Sequence, residues 1–434
     1  MSTTAETVDE QSAQGGGGSE GAPVPGVIVV FSRGRPMAHA MPVGEGVVLG
    51  REDPVLSADE RLSRRHVRID RALDQWRIRD LDSRNGTFVD AERVEKSTLA
   101  GDACVVRIGQ TVLLLVPDLR PFEAHPPGIA SGMVMGPALH AVAEKIRVAA
   151  VAGDNLLVHG ESGTGKEWAG ATFHRLSVRA NGPLVSVNCA TIPHGLAERL
   201  LLGSQRGAYS GAVDTEGYVR AAQGGVLFLD ELGEIEREVQ PKLLRVLEAR
   251  EVTPLGGTRA QPVDVRFCFA TNRDLRAAVA ADEFRADLFY RIEQPSVTLP
   301  PLRDRREEIP WLVAMELGRV DPTPVASAGF VEACMSRHWP GNVRELLRHT
   351  RRAGQLAIAE GAPEVLARHL DAQAGAAIRE PAREREAVKA PELTSDDVSK
   401  SLAAHAGNVS AAARALGLHR TQLRRLIARF GLSE

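Results

Sequence analysis

The chain has few cysteines, few aromatic residues and no long apolar run. Four cysteines occur among 434 residues, and aromatic residues make up 4%. Cys104, Cys189, Cys268 and Cys334 are far apart in the sequence, which argues against a paired zinc site and favours reduced thiols. No apolar run approaches the roughly 20 residues that a membrane-spanning helix needs, and the N-terminus has no signal-peptide pattern. We therefore expect a cytoplasmic protein without a membrane partner.

The chain also lacks an excess of charge of either sign. Lys and Arg number 53 against 56 Asp and Glu, so the formal net charge is −3. A nucleic-acid-binding surface must therefore be local. The hydrophobic content of 43% and the charged content of 25% are typical of a globular protein. The length allows two to four domains.

Local composition predicts three domains joined by linkers. Short β-rich runs over residues 27–31, 46–49, 66–69, 76–79, 87–89, 104–108 and 112–116 favour an all-β sandwich. Strands that alternate with helical patterns then predict an α/β domain with a parallel sheet, and an all-α unit follows. The predicted segments are a disordered tail (1–25), the sandwich (26–117), a linker (118–131), the α/β domain (132–371), a second linker (372–392) and the helical unit (393–434).

A glycine-rich loop follows the apolar run 156–159, which predicts a buried strand. The loop consists of Gly160, Glu161, Ser162, Gly163, Thr164, Gly165 and Lys166. In a strand, loop and helix of this kind, backbone N–H groups bind phosphates and the lysine reaches their outer oxygens. Glu167 stands where Ser or Thr commonly binds Mg²⁺, so metal binding is expected to depend more on Thr164, water and an acidic pair. The pattern predicts a nucleotide site.

The acidic pair is Asp230-Glu231, which ends the apolar run 226–229. In phosphoryl transfer, Asp230 can hold the metal and Glu231 can polarise the attacking water. Two solvated acids at a strand end are a common alternative, but both halves of a nucleotide site occur here in the right order. A third apolar run, 265–270, leads to Asn272. Its amide can sense the γ-phosphate, although an Asn at a strand end is more often a turn residue.

From about residue 132 to residue 370 the chain resembles the central AAA+ domain of NtrC-type bacterial enhancer-binding proteins, which remodel sigma-54 RNA polymerase. The matching stretches are residues 160–167, 187–190, 207–212, 224–225, 284–288, 299–303 and 339–346. This family also carries Glu directly after the loop lysine. The resemblance implies an ATPase that uses ATP and Mg²⁺, has a helical lid over about residues 306–371 and works as a homo-oligomeric ring, hexameric in the family.

The same resemblance implies roles for four further residues. Asn188 corresponds to the switch amide that holds Glu231 until nucleotide and ring geometry release it. Arg285 and Arg291 correspond to arginines that reach a neighbouring subunit's site, where such a group accelerates phosphoryl transfer about 10³–10⁵-fold in known NTPases. Arg344 corresponds to the sensor arginine of the lid. The alternative for each arginine is a surface salt bridge, which contributes little stability.

A hexapeptide lies between the loop and the acidic pair: Gly207, Ala208, Tyr209, Ser210, Gly211 and Ala212. One aromatic ring among small residues suits a loop tip that touches a partner, and an ordinary surface loop is the alternative. The family's corresponding Gly-Ala-Phe-Thr-Gly-Ala loop contacts sigma-54. Tyr209 and Ser210 replace its Phe and Thr. The resemblance therefore implies contact with sigma-54 through a loop altered at two positions.

Three motifs in the predicted sandwich resemble those of a forkhead-associated (FHA) domain, which reads phosphothreonine peptides. They are residues 50–51, 63–66 and 83–87. Arg51 and Arg64 supply charged donors for a phosphate, and Ser63 adds a hydroxyl. Asn85 can clamp the peptide backbone, whereas His66 is expected to brace the loops from inside. The alternative is a hairpin at Asn-Gly with solvated arginines.

The last 40 or so residues resemble the Fis-type helix-turn-helix module that ends this family. Helices are expected over residues 396–405, 409–416 and 420–430, with tight turns between them. The candidate DNA-contacting residues on the third helix are Arg420, Thr421, Gln422, Arg424 and Arg425. The alternative is a basic amphipathic helix packed on the ATPase.

These features together predict an ATP-driven activator that binds enhancer-type DNA and remodels sigma-54 RNA polymerase. FHA binding to a Thr-phosphorylated protein or peptide would control ring assembly, in place of the phospho-aspartate receiver common in this family. Two alternatives remain open. One is a DNA-binding regulator that acts through ordinary polymerase, and the other is a signalling scaffold in which ATP only sets the oligomeric state.

Overall fold

The structure, a computed structural model, describes residues 22–72, 75–130, 132–208, 213–377 and 395–405, and the single residues 409, 412, 416, 423, 427 and 430. Contacts divide the chain into two units, Met1–Ala377 and Ile378–Glu434, and each is treated by itself below. Within the described residues, no helix has the length and apolar character to cross a membrane.

The first domain is a sandwich of two antiparallel sheets. One sheet has the strand order β2-β1-β10-β9-β6-β7 and the other β3-β4-β5-β8. The strands are β1 Gly26–Ser32, β2 Arg35–Pro42, β3 Val47–Leu49, β4 Val67–Ala72, β5 Gln75–Asp80, β6 Thr87–Val89, β7 Glu92–Val94, β8 Ser97–Ala100, β9 Cys104–Ile108 and β10 Thr111–Val116. The predicted sandwich is confirmed. All seven predicted strands occur, while β2, β7 and β8 were missed because they are polar or short.

The stretch predicted as the first linker is ordered between the sandwich and the α/β domain. It carries helix α1 Arg120–Ala124 and strand β11 Gly128–Ala130, which pairs with β12 Met133–Met135. Leu119 is fully buried in an apolar cluster that includes residues of both domains. The apolar packing of Leu119 therefore ties this stretch to the folded unit.

The second domain is built on a five-stranded parallel sheet with the order β14-β17-β20-β13-β21. Its strands are β13 Leu156–His159, β14 Leu184–Asn188, β17 Val226–Asp230, β20 Arg266–Thr271 and β21 Ser296–Thr298. The helices are α2 Pro137–Ala152, α3 Lys166–Leu176, α4 Ala197–Leu202, α5 Tyr218–Ala221, α6 Gln240–Ala249, α7 Leu275–Ala280 and α8 Ala286–Ile292. Short two-residue pairs are β15 Gly203–Ser204 with β16 Thr215–Glu216, and β18 Glu251–Val252 with β19 Gln261–Pro262. The predicted α/β fold is confirmed.

A helical lid follows the sheet. It contains α9 Ile309–Val320, α10 Ala328–Met335 and α11 Asn342–Ala359, with the pair β22 Val325–Ala326 and β23 Glu364–Val365. The lid packing continues into the stretch predicted as the second linker. Ala374 is 3% exposed, and the Gly375 N–H donates to Glu345 Oε1 at 3.0 Å.

The second unit contains helix α12 Ser395–Ala404. Val398, Leu402, Val409, Ala412, Leu423 and Ile427 form a buried apolar cluster there. This cluster agrees with the predicted helical unit. The candidate DNA-contacting residues Arg420, Thr421, Gln422, Arg424 and Arg425 lie outside the described residues.

Candidate functional site

The glycine loop turns sharply between β13 and α3. Gly163 and Gly165 have φ values of +79° and +111°, in the region that favours glycine. A Cβ on Gly163 would lie 2.3 Å from the Gly341 carbonyl oxygen, so the lid approaches too closely for any larger residue. Lys166 begins α3. The loop therefore presents backbone N–H groups and a helix N-terminus to one point, an arrangement that suits an anion such as a nucleotide phosphate.

The loop lysine and the acidic pair meet at the carboxyl ends of β13 and β17, which are separated in the sheet by β20. Lys166 Nζ lies 3.1 Å from Glu231 Oε1 and 3.2 Å from the Gly160 carbonyl oxygen. The Asn272 backbone N–H donates to Glu231 Oε2 at 3.4 Å. Glu231 has a φ of +51°, an uncommon conformation for a non-glycine residue. The predicted loop, acidic pair and third strand end therefore form one site.

Asp230 is half-buried beside this ion pair. Burial raises the pKa of its carboxyl, and the nearby Lys166 charge opposes that rise. Its Oδ1 accepts a hydrogen bond from the Glu231 backbone N–H at 3.0 Å. The Thr164 hydroxyl is already engaged, because it donates to the Glu161 carbonyl at 2.8 Å.

A cleft of about 370 Å³ opens over the loop and the acidic pair. Predicted residues that line it are Ser162, Gly163, Thr164, Gly165, Lys166, Glu167, Asn188, Asp230, Glu231 and Arg344. Three or more His, Cys, Asp or Glu side chains never cluster in metal-binding geometry within the described ranges.

Asn188 lines the cleft but does not hold Glu231 in this structure. Its Oδ1 accepts a hydrogen bond from the Ala190 backbone N–H at 2.9 Å and caps a short 3₁₀ helix. The Glu231 carboxylate is instead engaged by Lys166 and Asn272. In this structure the loop lysine engages the carboxylate that Asn188 is expected to hold, and the switch role of Asn188 stays a prediction.

The lid and the short segment before it bind the glycine loop through residues for which the sequence suggested no role. Asn342 is fully buried, and its Nδ2 donates to Glu161 Oε2 and to the Ser162 carbonyl, both at 3.0 Å. Arg303 makes two hydrogen bonds to the Glu161 carboxylate, at 2.7 and 2.9 Å. Both residues lie in stretches that match the family, 299–303 and 339–346, and this match is the sequence signal that could have identified them.

Two further arginines join the lid to the loop. Arg344 Nη1 donates to Ser162 Oγ at 3.1 Å, which places the predicted sensor arginine at the cleft. Arg305 is 1% exposed, and its guanidinium donates to the Thr164 carbonyl and to Glu308, each at 2.8 Å. The Arg305 bond thus connects this segment directly to the backbone of the loop that would bind phosphate.

The two predicted trans arginines, Arg285 and Arg291, are not among the described residues that line the nucleotide cleft. Arg285 pairs with Asp287 at 2.7 Å. Arg291 donates to the Leu247 carbonyl at 3.4 Å and lines a separate polar cleft with Arg250 and Arg266. Neither borders the nucleotide cleft among the residues described. Their assignment to a neighbouring subunit's site stays a prediction.

The hexapeptide begins in a described turn and then leaves the described residues. Gly207 has a φ of +89°, and the Ala208 N–H donates to the Gln205 carbonyl at 3.1 Å. Tyr209, Ser210, Gly211 and Ala212 lie outside the described residues. The hexapeptide lies in the sequence between the paired strands β15 and β16 of the α/β domain.

The predicted phosphopeptide residues come together on loops at one end of the sandwich. The Arg51 N–H donates to the Ser63 carbonyl at 2.9 Å, and Ser63 Oγ accepts from the Arg84 N–H at 3.1 Å. Asn85 Nδ2 donates to the Arg61 carbonyl at 2.6 Å. Arg51, Arg64 and Asn85 are exposed. The four predicted residues Arg51, Ser63, Arg64 and Asn85 thus share one accessible surface.

His66 braces these loops, as predicted. It is fully buried, its Nδ1 accepts from the Ser63 N–H at 3.2 Å, and its Nε2 lies 3.1 Å from the Gly86 carbonyl oxygen. Burial lowers the pKa of His66, which favours the neutral ring. A neutral ring that donates at Nε2 and accepts at Nδ1 satisfies both loops.

Comparison with known proteins finds three family matches in chain order. Residues 47–109 match the FHA domain, residues 133–298 match the sigma-54 interaction domain, and residues 399–430 match the Fis family of bacterial regulatory proteins. These matches fall on the sandwich, the nucleotide-site domain and the second unit.

Three individual proteins illustrate the similarity. The chain is 36% identical over 391 residues to the anaerobic nitric oxide reductase transcription regulator NorR of Aeromonas hydrophila, which covers 81% of the chain and 74% of NorR. It is 47% identical over 215 residues to the Nif-specific regulatory protein of Herbaspirillum seropedicae, covering 48% of the chain and 40% of that relative. The crystal structure of NtrX from Brucella abortus in complex with ATP is 30% identical, with a TM-score of 0.52 and 70% of each chain covered. The chain therefore spans less than half the length of some curated relatives that it matches.

Proposed function

Because the chain belongs to the family of sigma-54-dependent transcriptional activators, we propose that it hydrolyses ATP to remodel sigma-54 RNA polymerase at promoters. The observation that carries the proposal is the convergence of Lys166, Asp230 and Glu231 under a lid that supplies Arg344. This combination offers a phosphate cradle, a metal ligand and a base in one cleft. A reader domain and a DNA-binding module alone would not need it.

The chain's own residues account for the main parts of phosphoryl transfer. Lys166 leaves Glu231 to contact the nucleotide's outer phosphate oxygens, which frees the Glu231 carboxylate to accept a proton from water. Asp230 would hold a Mg²⁺ ion, which would supply charge neutralisation at the phosphates. Arg344 and Asn342 keep the lid on the loop, so that bulk water, apart from the attacking molecule, is excluded from the closed cleft. The contact partner of Lys166 would therefore change from Glu231 to phosphate when nucleotide binds.

Oligomerisation completes the proposed site. Arg285 and Arg291 stand away from the cleft of their own subunit and are exposed or border a polar cleft. In a ring, each would face the next subunit's nucleotide and neutralise the developing charge. The family resemblance supports a hexamer. Hydrolysis would then depend on protein concentration.

The proposed contacts with sigma-54 and with DNA are assigned to other residues of the chain. The Tyr209 loop would engage sigma-54 when nucleotide is bound, and the helix-turn-helix residues Arg420 to Arg425 would hold the protein on enhancer-type DNA. The FHA loops would read a Thr-phosphorylated protein or peptide and control assembly of the ring. The protein would do this in the cytoplasm.

Two variants test the ATPase and its output separately. Glu231→Gln should abolish hydrolysis while labelled ADP still binds, because the amide cannot accept the proton but keeps the side chain's volume. Tyr209→Ala should hydrolyse ATP normally yet fail to support ATP-dependent open-complex formation by sigma-54 polymerase. Val213→Ala, an exposed change just beyond the loop, is the matched control. Turnover by Glu231→Gln would refute the base assignment, and full open-complex formation by Tyr209→Ala would refute the loop's role.

A further inference from the structure

The FHA domain and the ATPase lid share one apolar core. The strands β1 and β10 are buried almost along their whole length, on both faces of their sheet. One face fills the sandwich, and the other packs against α10. A sheet with one solvated face shows alternating polarity, which these strands lack. The side chains of this shared core include Ile28, Val30, Val112, Leu114, Leu317, Phe330 and Val331.

A buried ion pair crosses the same boundary, which we call the seam. Arg107 on β9 donates from Nε to Glu332 Oε2 on α10 at 2.5 Å, with side chains 20% and 3% exposed. Glu332 Oε1 also accepts from the Ala91 N–H at 3.3 Å. The Arg107 guanidinium stacks 3.8 Å from the centre of the Phe88 ring. Because the charges are buried and directional, they specify how the FHA domain sits on the lid.

The loops that carry the predicted phosphopeptide residues reach the seam through Arg61. Arg61 lines a groove between the two domains, together with Arg107, Ser327 and Glu364. Its carbonyl accepts the hydrogen bond from Asn85, one of the predicted phosphopeptide residues. A peptide that engages the Asn85 amide therefore competes with a bond made to the wall of the seam.

The other end of the lid holds the glycine loop. The apolar core that contains the seam residues also contains Trp339 and Leu346, next to Asn342 and Arg344. Asn342 and Arg344 bind Ser162 of the loop. The phosphopeptide surface and the nucleotide cleft are thus connected through one packed body.

We propose that the FHA domain acts on the ATPase within the same chain, by biasing the position of the lid on which it is docked. The proposal rests on the phosphopeptide function proposed above. Glu332 and Arg107 are then positioning residues: they do not touch nucleotide or peptide but transmit between the two sites. Since coupling between binding sites is reciprocal, peptide must change nucleotide affinity by the same factor as nucleotide changes peptide affinity.

The test uses the full chain and labelled ADP. A randomised phosphothreonine peptide array, with unphosphorylated peptides as the comparison, supplies the tightest-binding peptide as the probe. Labelled ADP is then titrated with and without saturating peptide, while light scattering records the oligomeric state at each protein concentration. We expect the peptide to change the Kd for ADP about fivefold or more in samples that contain only monomer.

Variants of the Arg107–Glu332 pair test whether the coupling between peptide and ADP depends on the seam. Glu332→Gln keeps the side chain's volume but removes its charge, and we expect it to bind peptide and ADP separately while the coupling factor falls towards one. Arg107→Gln changes the same pair from the FHA side and serves if Glu332→Gln does not fold. Glu238→Gln, an exposed change on the ATPase domain, is the matched control and should keep full coupling.

The possible failures are distinguishable. If the wild-type chain binds no phosphothreonine peptide, the reader function itself fails, and this inference fails with it. If peptide binds but leaves the Kd for ADP unchanged, the reader function stands and the inference is overturned. Coupling that appears only in oligomers, or that survives both seam variants, also overturns it and favours control through ring assembly.

Discussion

Replacing Glu307 by Gln should stabilise the protein at neutral pH but hardly at all in mild acid. Glu307 precedes α9 and is 4% exposed. Burial, reinforced by the neighbouring Glu308 charge, raises the pKa of its carboxyl from 4.5 to about 8. The folded protein therefore keeps a proton on Glu307 at pH 7 that the unfolded chain has released. Stability from this group is fully present below about pH 4.5 and is lost as the pH rises towards 8.

The magnitude follows from the difference between the two pKa values. One pKa unit corresponds to about 1.4 kcal/mol. Retaining the proton on Glu307 therefore lowers the free energy of unfolding by roughly 3 kcal/mol at pH 7 and by under about 1 kcal/mol at pH 5. Gln has a similar volume and no charge to suppress. Because about 1 kcal/mol shifts the Tm of a domain this large by roughly 2–4 °C, Glu307→Gln should raise Tm by about 6–12 °C at pH 7.

Thermal unfolding followed by circular dichroism at pH 5 and pH 7 checks this. The relevant quantity is the Tm of the variant minus that of the wild type at each pH. The exposed control Glu238→Gln should show no gain at either pH. A gain for Glu307→Gln that is equal at pH 5 and pH 7 would mean that packing, not proton uptake, causes it. No gain at pH 7 would refute the buried neutral carboxyl.

Two further predictions concern binding. Arg51→Ala should abolish binding of the array-selected phosphothreonine peptide, measured by fluorescence anisotropy. The control Arg65→Ala, an exposed change next to Arg64 in the sequence, should retain binding. Unchanged binding by Arg51→Ala would remove Arg51 from the phosphopeptide site. Asn342→Ala should raise the KM for ATP about tenfold, equivalent to about 1.4 kcal/mol, because the lid loses its hydrogen bonds to the glycine loop. The exposed Arg348→Ala on the same helix is its control, and an equal KM for both variants would contradict the lid's role.

Local patterns allowed much of the nucleotide site to be predicted. The runs 156–159 and 226–229 are strands β13 and β17, and the loop and acidic pair follow them directly. In a parallel sheet the carboxyl ends of all strands, including β13 and β17 on either side of β20, lie at one edge. Residues distant in sequence, such as Lys166 and Glu231, are therefore brought together by topology alone. No knowledge of side-chain packing was needed.

Contacts that depend on side-chain conformation were not predictable in the same way. Asn188 is at the expected strand end, but its side-chain oxygen accepts from the Ala190 N–H and caps a short 3₁₀ helix. Asn342 begins lid helix α11 with a φ of +51°, and its side-chain amide donates a hydrogen bond to Glu161 of the glycine loop. Such contacts depend on how the lid closes, and the sequence carries no periodic signal for that.

The docking of the FHA domain did leave a signal in the sequence, in the polarity of two strands. Residues 27–31 and 112–116 are apolar at every position, whereas a sandwich strand with one solvated face alternates. Five consecutive apolar residues therefore imply a second covering layer, and in this chain the lid supplies it. The reader domain accordingly cannot be displaced from the lid without exposing both strands to water. For this reason a regulatory movement that keeps the two domains together costs less free energy than one that separates them.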